Sequence, residues 1–177
     1  MTRRAWLALP LVVFAIFLLV VGWRLSDPPQ TTIKSRLIGQ PVPAFALPAA
    51  VPGQAALSSA DFKQGDGPRL LNLFASWCVP CIAEAPVLLD LKRRGVRIDG
   101  IAIRDAPEDV ARFLSDHGNP FEHIGSDLRS RVQMSLGSAG VPESFVVNAN
   151  GIITYQHIGP IMPQDVPVIL AELEKAR

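Results

Sequence analysis

The stretch Leu70–Cys81, LLNLFASWCVPC, joins a short apolar run to two cysteines that lie three positions apart. Its first five residues have the length and composition of a strand that is buried on both faces of a sheet. We expect this strand to lead directly into the cysteine pair, with a helix after it. The stretch therefore predicts two thiols at a junction between a strand and a helix.

Cys78 and Cys81 are well spaced for reversible disulfide formation. Positions i and i+3 lie on the same side of a helix, so the two sulfurs can bond with little backbone movement. Unpaired N–H groups and the positive end of the helix dipole stabilise an anion at a helix N-terminus, so we expect Cys78 to be the attacking thiolate. Cys81 is expected to be more shielded and to release a mixed disulfide by attacking the Cys78 sulfur. Pro80 suits a first helical turn, where its missing N–H would have no partner.

A CxxC pair has other uses, and the residues alone leave them open. A zinc site normally needs four ligands, whereas His117, His123 and His157 stand singly in stretches without ligand spacing. Thiolates with a histidine suit copper, and the pair could also form an inert local disulfide. We expect the histidines to be ordinary surface or loop residues, and we predict no metal and no other cofactor.

Beyond the cysteines, helical and extended patterns alternate along the chain. The expected elements are a helix to about Arg94, a strand over 96–103, a helix over 107–118, a strand over 121–124, a brief helix over 127–136, a hairpin of strands 144–148 and 152–157, and a last helix over 163–175. The proline-rich residues 40–48 suit only an edge strand. This order predicts an α/β domain in which a central mixed sheet is flanked by helices.

The size and charge of the chain exclude several classes of protein. Its 177 residues suit one domain with extensions. It has 17 lysines and arginines against 16 aspartates and glutamates, so without Arg3 and Arg4 the remainder has 15 against 16. This balance gives no electrostatic reason to expect nucleic acid as a partner. With only two cysteines, close together, the chain also lacks the disulfide framework of a small secreted protein.

The N-terminal residues are expected to form a membrane anchor. No residue from Ala5 to Trp23 is charged, and as a helix this segment approaches the ~30 Å thickness of the hydrocarbon core. Arg3 and Arg4 favour an N-terminus on the inside, with the chain after Arg24 exported. A cleaved signal peptide is the alternative, although its apolar part is typically shorter.

Three parts of the chain follow from these patterns. Residues 1–23 are expected to form a single transmembrane helix. Residues 24–40 are polar and contain two prolines, so they are expected to form a linker. Residues 41–177 are expected to form the α/β domain.

The segment Leu73–Cys81 resembles the active-site segment of thioredoxin-like proteins, with Trp77 directly before the first cysteine. Pro86 stands where thioredoxin kinks its active-site helix. The resemblance extends over about residues 37–176 and implies a thioredoxin-like fold with Cys78 and Cys81 as its redox-active disulfide.

A loop and a hairpin make the resemblance more specific. Val141 and Pro142 resemble the cis-proline loop of thioredoxin-like proteins, which would lie beside the cysteines and offer backbone to an extended substrate. Glu143 directly after that proline, the segment 151–159 and the N-terminal anchor are similar to the membrane-anchored thiol:disulfide interchange proteins of cytochrome c maturation, the DsbE/CcmG group. Glu84 also resembles an acidic position of that group.

This resemblance implies a function. The protein would reduce the disulfide of apocytochrome c, or of an assembly protein that holds it, and would be reduced again by a membrane thiol donor of the DsbD/CcdA type. It would be a single-pass protein of the bacterial inner membrane, anchored through residues 5–23, with its catalytic domain in the periplasm. A general reductase or oxidase of exported proteins and a copper-binding chaperone module are the alternatives.

One departure from thioredoxin bears on proton transfer. Asn72 occupies the place of thioredoxin's buried aspartate, and an amide cannot carry a proton to or from Cys81. Glu84 and Glu143 are the candidate acids, since a carboxylate near a thiol pair can act as a general base. The alternatives are that Glu84 is a first-turn residue favoured by the helix dipole and that Glu143 is a solvated loop carboxylate.

Overall fold

The computed structural model describes residues 3–26, 35–63 and 67–177. The chain forms two compact units, residues 1–32 and residues 33–177. The first contains helix α1 (Arg3–Ser26). The second contains, in chain order, β1 (Ala46–Leu47), β2 (Leu57–Ser58), a 3₁₀ helix (Ser59–Lys63), β3 (Arg69–Phe74), α2 (Val79–Arg93), β4 (Ile98–Ile103), α3 (Pro107–His117), β5 (Ile124–Asp127), α4 (Arg131–Ser135), β6 (Glu143–Val147), β7 (Ile153–Ile158) and α5 (Val166–Lys175).

Helix α1 is a 24-residue helix that continues through Pro10. Apolar side chains along it are exposed, among them Leu11, Leu19 and Trp23, each more than 70 % accessible. Within the described residues, none of the helices combines the length and hydropathy that a membrane crossing requires. Residues 27–34 of the expected linker lie outside the described part of the chain.

The main sheet of the second unit has five strands in the order β5, β4, β3, β6, β7. Strand β3 pairs in parallel with β4, and β4 pairs in parallel with β5. Strands β3 and β6 are antiparallel, as are β6 and β7. The parallel half requires crossover connections, which α2 and α3 supply, whereas a tight turn joins β6 to β7. The expected mixed sheet is confirmed, and β3, which carries the cysteine pair at its end, is its central strand.

The alternation of side chains along β3 divides the core into two layers. Leu70 and Phe74 pack on the face that α2, α3 and α5 cover. Leu71 and Leu73 pack on the opposite face, among residues of β2, the 3₁₀ helix and α4. Since successive side chains of a strand point to opposite faces, a residue's position in a strand decides which layer it enters. The face covered by α2 is the one that contains both cysteines.

One strand was predicted wrongly from the sequence. The strand expected over 121–124 is β5, which runs from Ile124 to Asp127 and pairs with Gly100–Ile103 of β4. Its last three residues, Gly125, Ser126 and Asp127, have low strand propensity, so the local pattern pointed upstream to the more apolar residues. Pairing with a neighbouring strand overrides that local preference. The remaining elements of the domain lie within four residues of their expected positions, and the largest differences are the starts of α4 at Arg131 and of α5 at Val166.

Candidate active site

The cysteine pair lies at the start of α2, as the sequence predicts. Strand β3 ends at Phe74, and Cys78 is the N-cap residue of the helix that begins at Val79. Cys78 and Cys81 form a disulfide with their Cα atoms 5.2 Å apart. Cys78 is 4 % exposed and Cys81 is 1 % exposed. Both cysteines are therefore buried in the disulfide form, and the first is slightly the more accessible of the two.

The backbone at the helix start points a donor at the sulfur of Cys78. The N–H of Cys81 lies 3.2 Å from the Sγ atom of Cys78 and donates to it. In the disulfide this sulfur is neutral, and it stands in for the thiolate that forms on reduction. A donor held at this place stabilises the thiolate more than the thiol, because hydrogen bonds to an ionised acceptor are stronger. Pro80 lies in the first turn, where a backbone N–H would have no partner within the helix.

Exposed apolar side chains flank the buried sulfurs. Trp77 is 60 % exposed and Val79 is 74 % exposed. Both lie at the junction between β3 and α2, and Ile82 in the first turn of α2 is 36 % exposed. Large apolar side chains on a surface are typical of places where another chain binds. The junction thus offers a contact surface beside the disulfide.

The second loop of the site contains the one cis peptide bond of the described residues, between Val141 and Pro142. Val141 packs against the core cluster that includes both cysteines. The Pro142 carbonyl accepts a hydrogen bond from the N–H of Gly159 at 3.1 Å. Neither the N–H nor the C=O of Val141 has a hydrogen-bond partner within the described part of the chain. Its backbone is therefore available to an added extended segment.

Glu84 lies on α2 one turn after Cys81 and is fully buried. The N–H of Ile161 donates to its Oε2 at 2.9 Å, and the Nδ2 of Asn72 donates to its Oε1 at 3.0 Å. Burial raises the pKa of Glu84 from 4.5 to about 7, although both hydrogen bonds act to lower it. The alternative of a first-turn residue favoured by the helix dipole is wrong, since Glu84 is in the second turn. A buried carboxyl with this pKa can gain or lose a proton near neutral pH.

Asn72 and Ser144 complete the surroundings of Glu84. They lie opposite each other on β3 and β6, and the Asn72 Nδ2 donates to the Ser144 Oγ at 3.0 Å. Both side chains are fully buried. The Oδ1 atom of Asn72 has no hydrogen-bond partner in the described structure. Asn72, which stands where thioredoxin has an aspartate, is thus paired with the uncharged Ser144 and hydrogen-bonded to Glu84 on α2.

Glu143 is buried on the other layer of the core. It is 2 % exposed, so the alternative of a solvated loop carboxylate is wrong. Its Oε2 accepts a 2.6 Å hydrogen bond from the Ser138 hydroxyl, and its Oε1 accepts one from the Gln156 amide. Gln156 in turn accepts from the backbone N–H of Ser35. Glu143 alternates with Ser144 on β6, so it points away from the face that α2 covers. The structure therefore brings Glu84, and not Glu143, to the layer of the cysteines.

Asp105 is a site residue that the sequence analysis missed. It follows β4 and is 4 % exposed. Its carboxylate accepts from the backbone N–H of Ser76 at 2.5 Å and from the Ser76 hydroxyl at 2.7 Å. These two bonds fix the loop two residues before Cys78. An acid at the end of the strand adjacent to β3 was the available signal, because the carboxyl ends of neighbouring parallel strands meet at one sheet edge.

His123 and His157 form hydrogen bonds to groups other than the cysteines. The Nδ1 of His123 lies 2.7 Å from an Asp99 oxygen, and the Nε2 of His157 lies 3.3 Å from the carbonyl oxygen of Pro160. Asp99, Glu122 and His123 have potential metal-ligand atoms within 4.8 Å of one another. However, the guanidinium of Arg69 already lies 2.9 Å from Asp99 and 3.4 Å from Glu122. His123 lies in the segment before β5 with its side chain 26 % exposed, as expected of a loop residue, and its ring contacts the buried Asp99.

A mixed five-stranded sheet with a cysteine pair at the start of the helix after its central strand, next to a cis-proline loop, defines a thioredoxin-like thiol–disulfide oxidoreductase. The Redoxin family model matches residues 37–173. The chain is 36 % identical over 169 residues to the thiol:disulfide interchange protein DsbE homolog of Paracoccus denitrificans, covering 95 % of this chain and 93 % of the relative. It is 35 % identical over 168 residues to DsbE of Escherichia coli, covering 92 % and 89 %.

A solved structure agrees with the fold. The thiol:disulfide interchange protein of the thioredoxin family from Chlorobium tepidum superposes with a TM-score of 0.61 at 24 % identity, covering 81 % of this chain and 98 % of that one. The chain belongs to the Redoxin family and to its DsbE group of thiol:disulfide interchange proteins.

Proposed function

We propose that this protein is a periplasmic reductant of cytochrome c maturation, which reduces the disulfide of apocytochrome c or of an assembly protein that holds it. The observation that carries the proposal is the buried pair of Cys78 and Cys81 beside a titratable, buried Glu84. Membership of the DsbE group supports the choice of this reductive pathway. The proton and electron chemistry follows from the geometry of the site.

The first step is the attack of Cys78 on the substrate disulfide. Its sulfur accepts the N–H of Cys81 at the helix start, so it is the better placed thiolate. An S–S bond forms between Cys78 and one substrate sulfur as the substrate's own S–S bond breaks. The other substrate sulfur leaves as a thiolate, which takes a proton from solvent. The product is a mixed disulfide on Cys78.

The second step releases the substrate. The Cys81 sulfur attacks Cys78, the internal disulfide forms, and the second substrate sulfur leaves with the electron pair. Cys81 is almost fully enclosed, so its thiol proton needs a buried acceptor. Glu84 lies one turn further along the same helix and takes that proton as general base. A pKa of about 7 leaves a substantial fraction of Glu84 ionised near neutral pH.

The substrate binds across the two loops of the site. Trp77 and Val79 supply exposed apolar contact, and Pro80 keeps the helix start rigid. Val141 offers an unpaired N–H and C=O next to Pro142, so an extended substrate segment adds to this backbone as a strand would. Glu143 supports the loop from the other layer through its bonds to Ser138 and Gln156.

The N-terminal residues hold the domain at the inner membrane. The uncharged segment from Ala5 to Trp23 and the exposed apolar side chains of α1 support this anchor. A membrane thiol donor of the DsbD/CcdA type then reduces the Cys78–Cys81 disulfide after each cycle. Carbonate extraction of bacterial membranes tests the anchor, since an integral protein stays in the pellet and loses this behaviour when residues 1–23 are deleted.

Replacement of Cys81 by serine tests the substrate. The mixed disulfide on Cys78 then has no resolving thiol, and the trapped partner can be identified by mass spectrometry. Recovery of apocytochrome c or of an assembly protein is the expected result. The double variant Cys78→Ser with Cys81→Ser is the matched control and should trap nothing. A broad mixture of exported proteins would instead favour a general reductase or oxidase.

A further inference from the structure

The orphan oxygen of Asn72 lies in the most completely buried polar cluster of the described chain. Asn72, Glu84 and Ser144 are each fully buried. Both hydrogens of the Asn72 amide are used, one by the Oε1 of Glu84 and one by the Oγ of Ser144, each at 3.0 Å. The amide oxygen has no partner among the residues that the structure describes. Buried carbonyl oxygens are rarely left unpaired, so this atom requires an explanation.

The arrangement shown is complementary to an ionised Glu84. Each carboxylate oxygen accepts one N–H, from Ile161 on Oε2 and from Asn72 on Oε1. A protonated Glu84 would need a different partner. The backbone N–H of Ile161 cannot turn, so Oε2 stays the acceptor and the proton belongs on Oε1, where it meets the hydrogens of Asn72. In the orientation shown, the neutral acid therefore has no acceptor.

A half-turn of the Asn72 amide removes this conflict. The oxygen and nitrogen of an amide occupy nearly interchangeable positions. After the turn, Oδ1 faces both Glu84 Oε1 and Ser144 Oγ. It accepts the new O–H of Glu84, and the rotating hydroxyl of Ser144 can donate to it as well. The atom without a partner changes from Oδ1 to Nδ2, and Glu84 stays bonded in both states.

We propose that Asn72 and Ser144 form a reversible hydrogen-bond switch that stabilises Glu84 both as a carboxylate and as a carboxylic acid. This inference rests on the proposed function of Glu84 as the proton acceptor of Cys81. When Cys81 attacks the Cys78 sulfur, its proton goes to Oε1 of Glu84 and the Asn72 amide turns. When a thiol donor later breaks the Cys78–Cys81 bond, Cys81 leaves as a thiolate and takes that proton back. Asn72 and Ser144 are positioning residues, since they act through Glu84.

No other charged group explains how Glu84 holds its proton. Among the described residues, the titratable groups on the elements packed around Glu84 are Cys78 and Cys81 on α2, Tyr155 and His157 on β7, Asp165 before α5 and Glu172 on α5. None of them is hydrogen-bonded to Glu84, and His157 bonds instead to Pro160 and lies 4.0 Å from Asp165. The pKa of Glu84, raised to about 7 by burial, is opposed only by the bonds from Ile161 and Asn72. Asn72 is therefore the partner whose orientation can respond to the proton.

Infrared difference spectra of the oxidised full chain, recorded between about pH 5 and about pH 9, test the switch. The C=O stretch of a protonated carboxyl lies at a lower wavenumber when its O–H donates a hydrogen bond, and Glu84→Gln identifies the band. Asn72→Leu, which removes the amide at similar size, should move the band to a higher wavenumber. It should also raise the midpoint of the titration by about one pH unit, because the charge-assisted bond lost by the carboxylate is stronger than the neutral bond lost by the acid.

Ser144→Ala gives a shift of the opposite sign. Without the serine hydroxyl, Asn72 Oδ1 accepts from Glu84 alone, so that bond strengthens and the band should move to a lower wavenumber. An unchanged band in either variant means that the O–H of Glu84 does not donate to Asn72, and the switch is then wrong. If Asn72→Leu does not fold, Ser144→Ala decides alone. No substrate takes part in this experiment, so failure to trap apocytochrome c would refute the proposed substrate and leave the spectra unaffected.

Discussion

Replacing Glu84 by glutamine should remove a large pH dependence from the stability of the domain. Burial raises the pKa of Glu84 in the folded state from 4.5 to about 7. A group whose pKa is higher when folded stabilises the fold below its unfolded pKa, and this contribution declines as the pH rises to the folded pKa. The window is therefore about pH 4.5 to 7, and stability is lowest above it.

The magnitude follows from the shift. A change of about 2.5 pKa units corresponds to about 3.4 kcal/mol in total, of which about 2.5 kcal/mol falls between pH 5 and pH 8.5. Glutamine keeps the size of the side chain, accepts the N–H of Ile161 and can donate to the oxygen of Asn72 once that amide turns. The variant should therefore fold as a neutral mimic of protonated Glu84, without the cost of ionising a buried acid at high pH.

Urea unfolding of the oxidised protein at the two pH values measures the difference. The free energy of unfolding of the wild type should fall by about 2.5 kcal/mol more than that of Glu84→Gln between pH 5 and pH 8.5. Effects of all other titrating groups cancel in this comparison. Parallel pH profiles for the two proteins would refute the reasoning, because Glu84 would then titrate alike in the folded and unfolded chains.

Three further predictions concern rate and packing. Stopped-flow measurements can follow the resolution of a mixed disulfide on Cys78, and the wild-type rate should rise as the pH increases through about 7. Glu84→Gln should lower this rate by about 10²-fold at neutral pH and weaken its pH dependence. An unaffected rate would exclude general-base catalysis by Glu84. Asp105→Asn should lower the free energy of unfolding, measured by thermal denaturation, by about 1–3 kcal/mol and slow disulfide exchange, because the Ser76 loop loses a charged acceptor. The exposed control Asp109→Asn should change the free energy of unfolding by less than about 0.5 kcal/mol. Equal effects would contradict the role of Asp105 in anchoring the loop. Gly100→Ala places a Cβ atom 2.9 Å from the ring of Phe121 and should lower the free energy of unfolding by about 1–3 kcal/mol. The control Gly140→Ala places its Cβ atom where nothing lies within 4 Å. Denaturant midpoints that move equally in the two variants would show that the Phe121 ring moves aside without loss of stability.

Local patterns were sufficient for the part of the site that is contiguous in sequence. The apolar run before Cys78, the spacing of the two cysteines and the turn residues of the β6–β7 hairpin each act over a few positions. Their consequences, a central strand, a helix that begins at the pair and an antiparallel end to the sheet, are found in the structure. Strand propensity was insufficient at Gly125–Asp127, where pairing with β4 decides the conformation.

Contacts between distant residues could not be read from the sequence. Asn72 and Ser144 are 72 positions apart and meet only because β3 and β6 are neighbours. The hydrogen bond between Ser76 and Asp105 likewise depends on β3 and β4 being adjacent. Glu143 is different, because the alternation of side chains along β6 shows which face of the sheet it lies on. Once the register of β6 is known, Glu143 and every second residue after it must face the layer opposite the cysteines.

The order of the two thiols is the point on which the mechanism depends, and limited alkylation of the reduced full chain tests it most directly. Reduced protein is treated with a substoichiometric thiol reagent at about pH 6, and the modified cysteine is identified by peptide mass spectrometry. Modification should fall on Cys78, whose sulfur accepts a helix N–H that stabilises its thiolate, while the buried Cys81 stays protected. Preferential modification of Cys81 would contradict the assignment of the nucleophile and, with it, the reaction sequence built on Glu84.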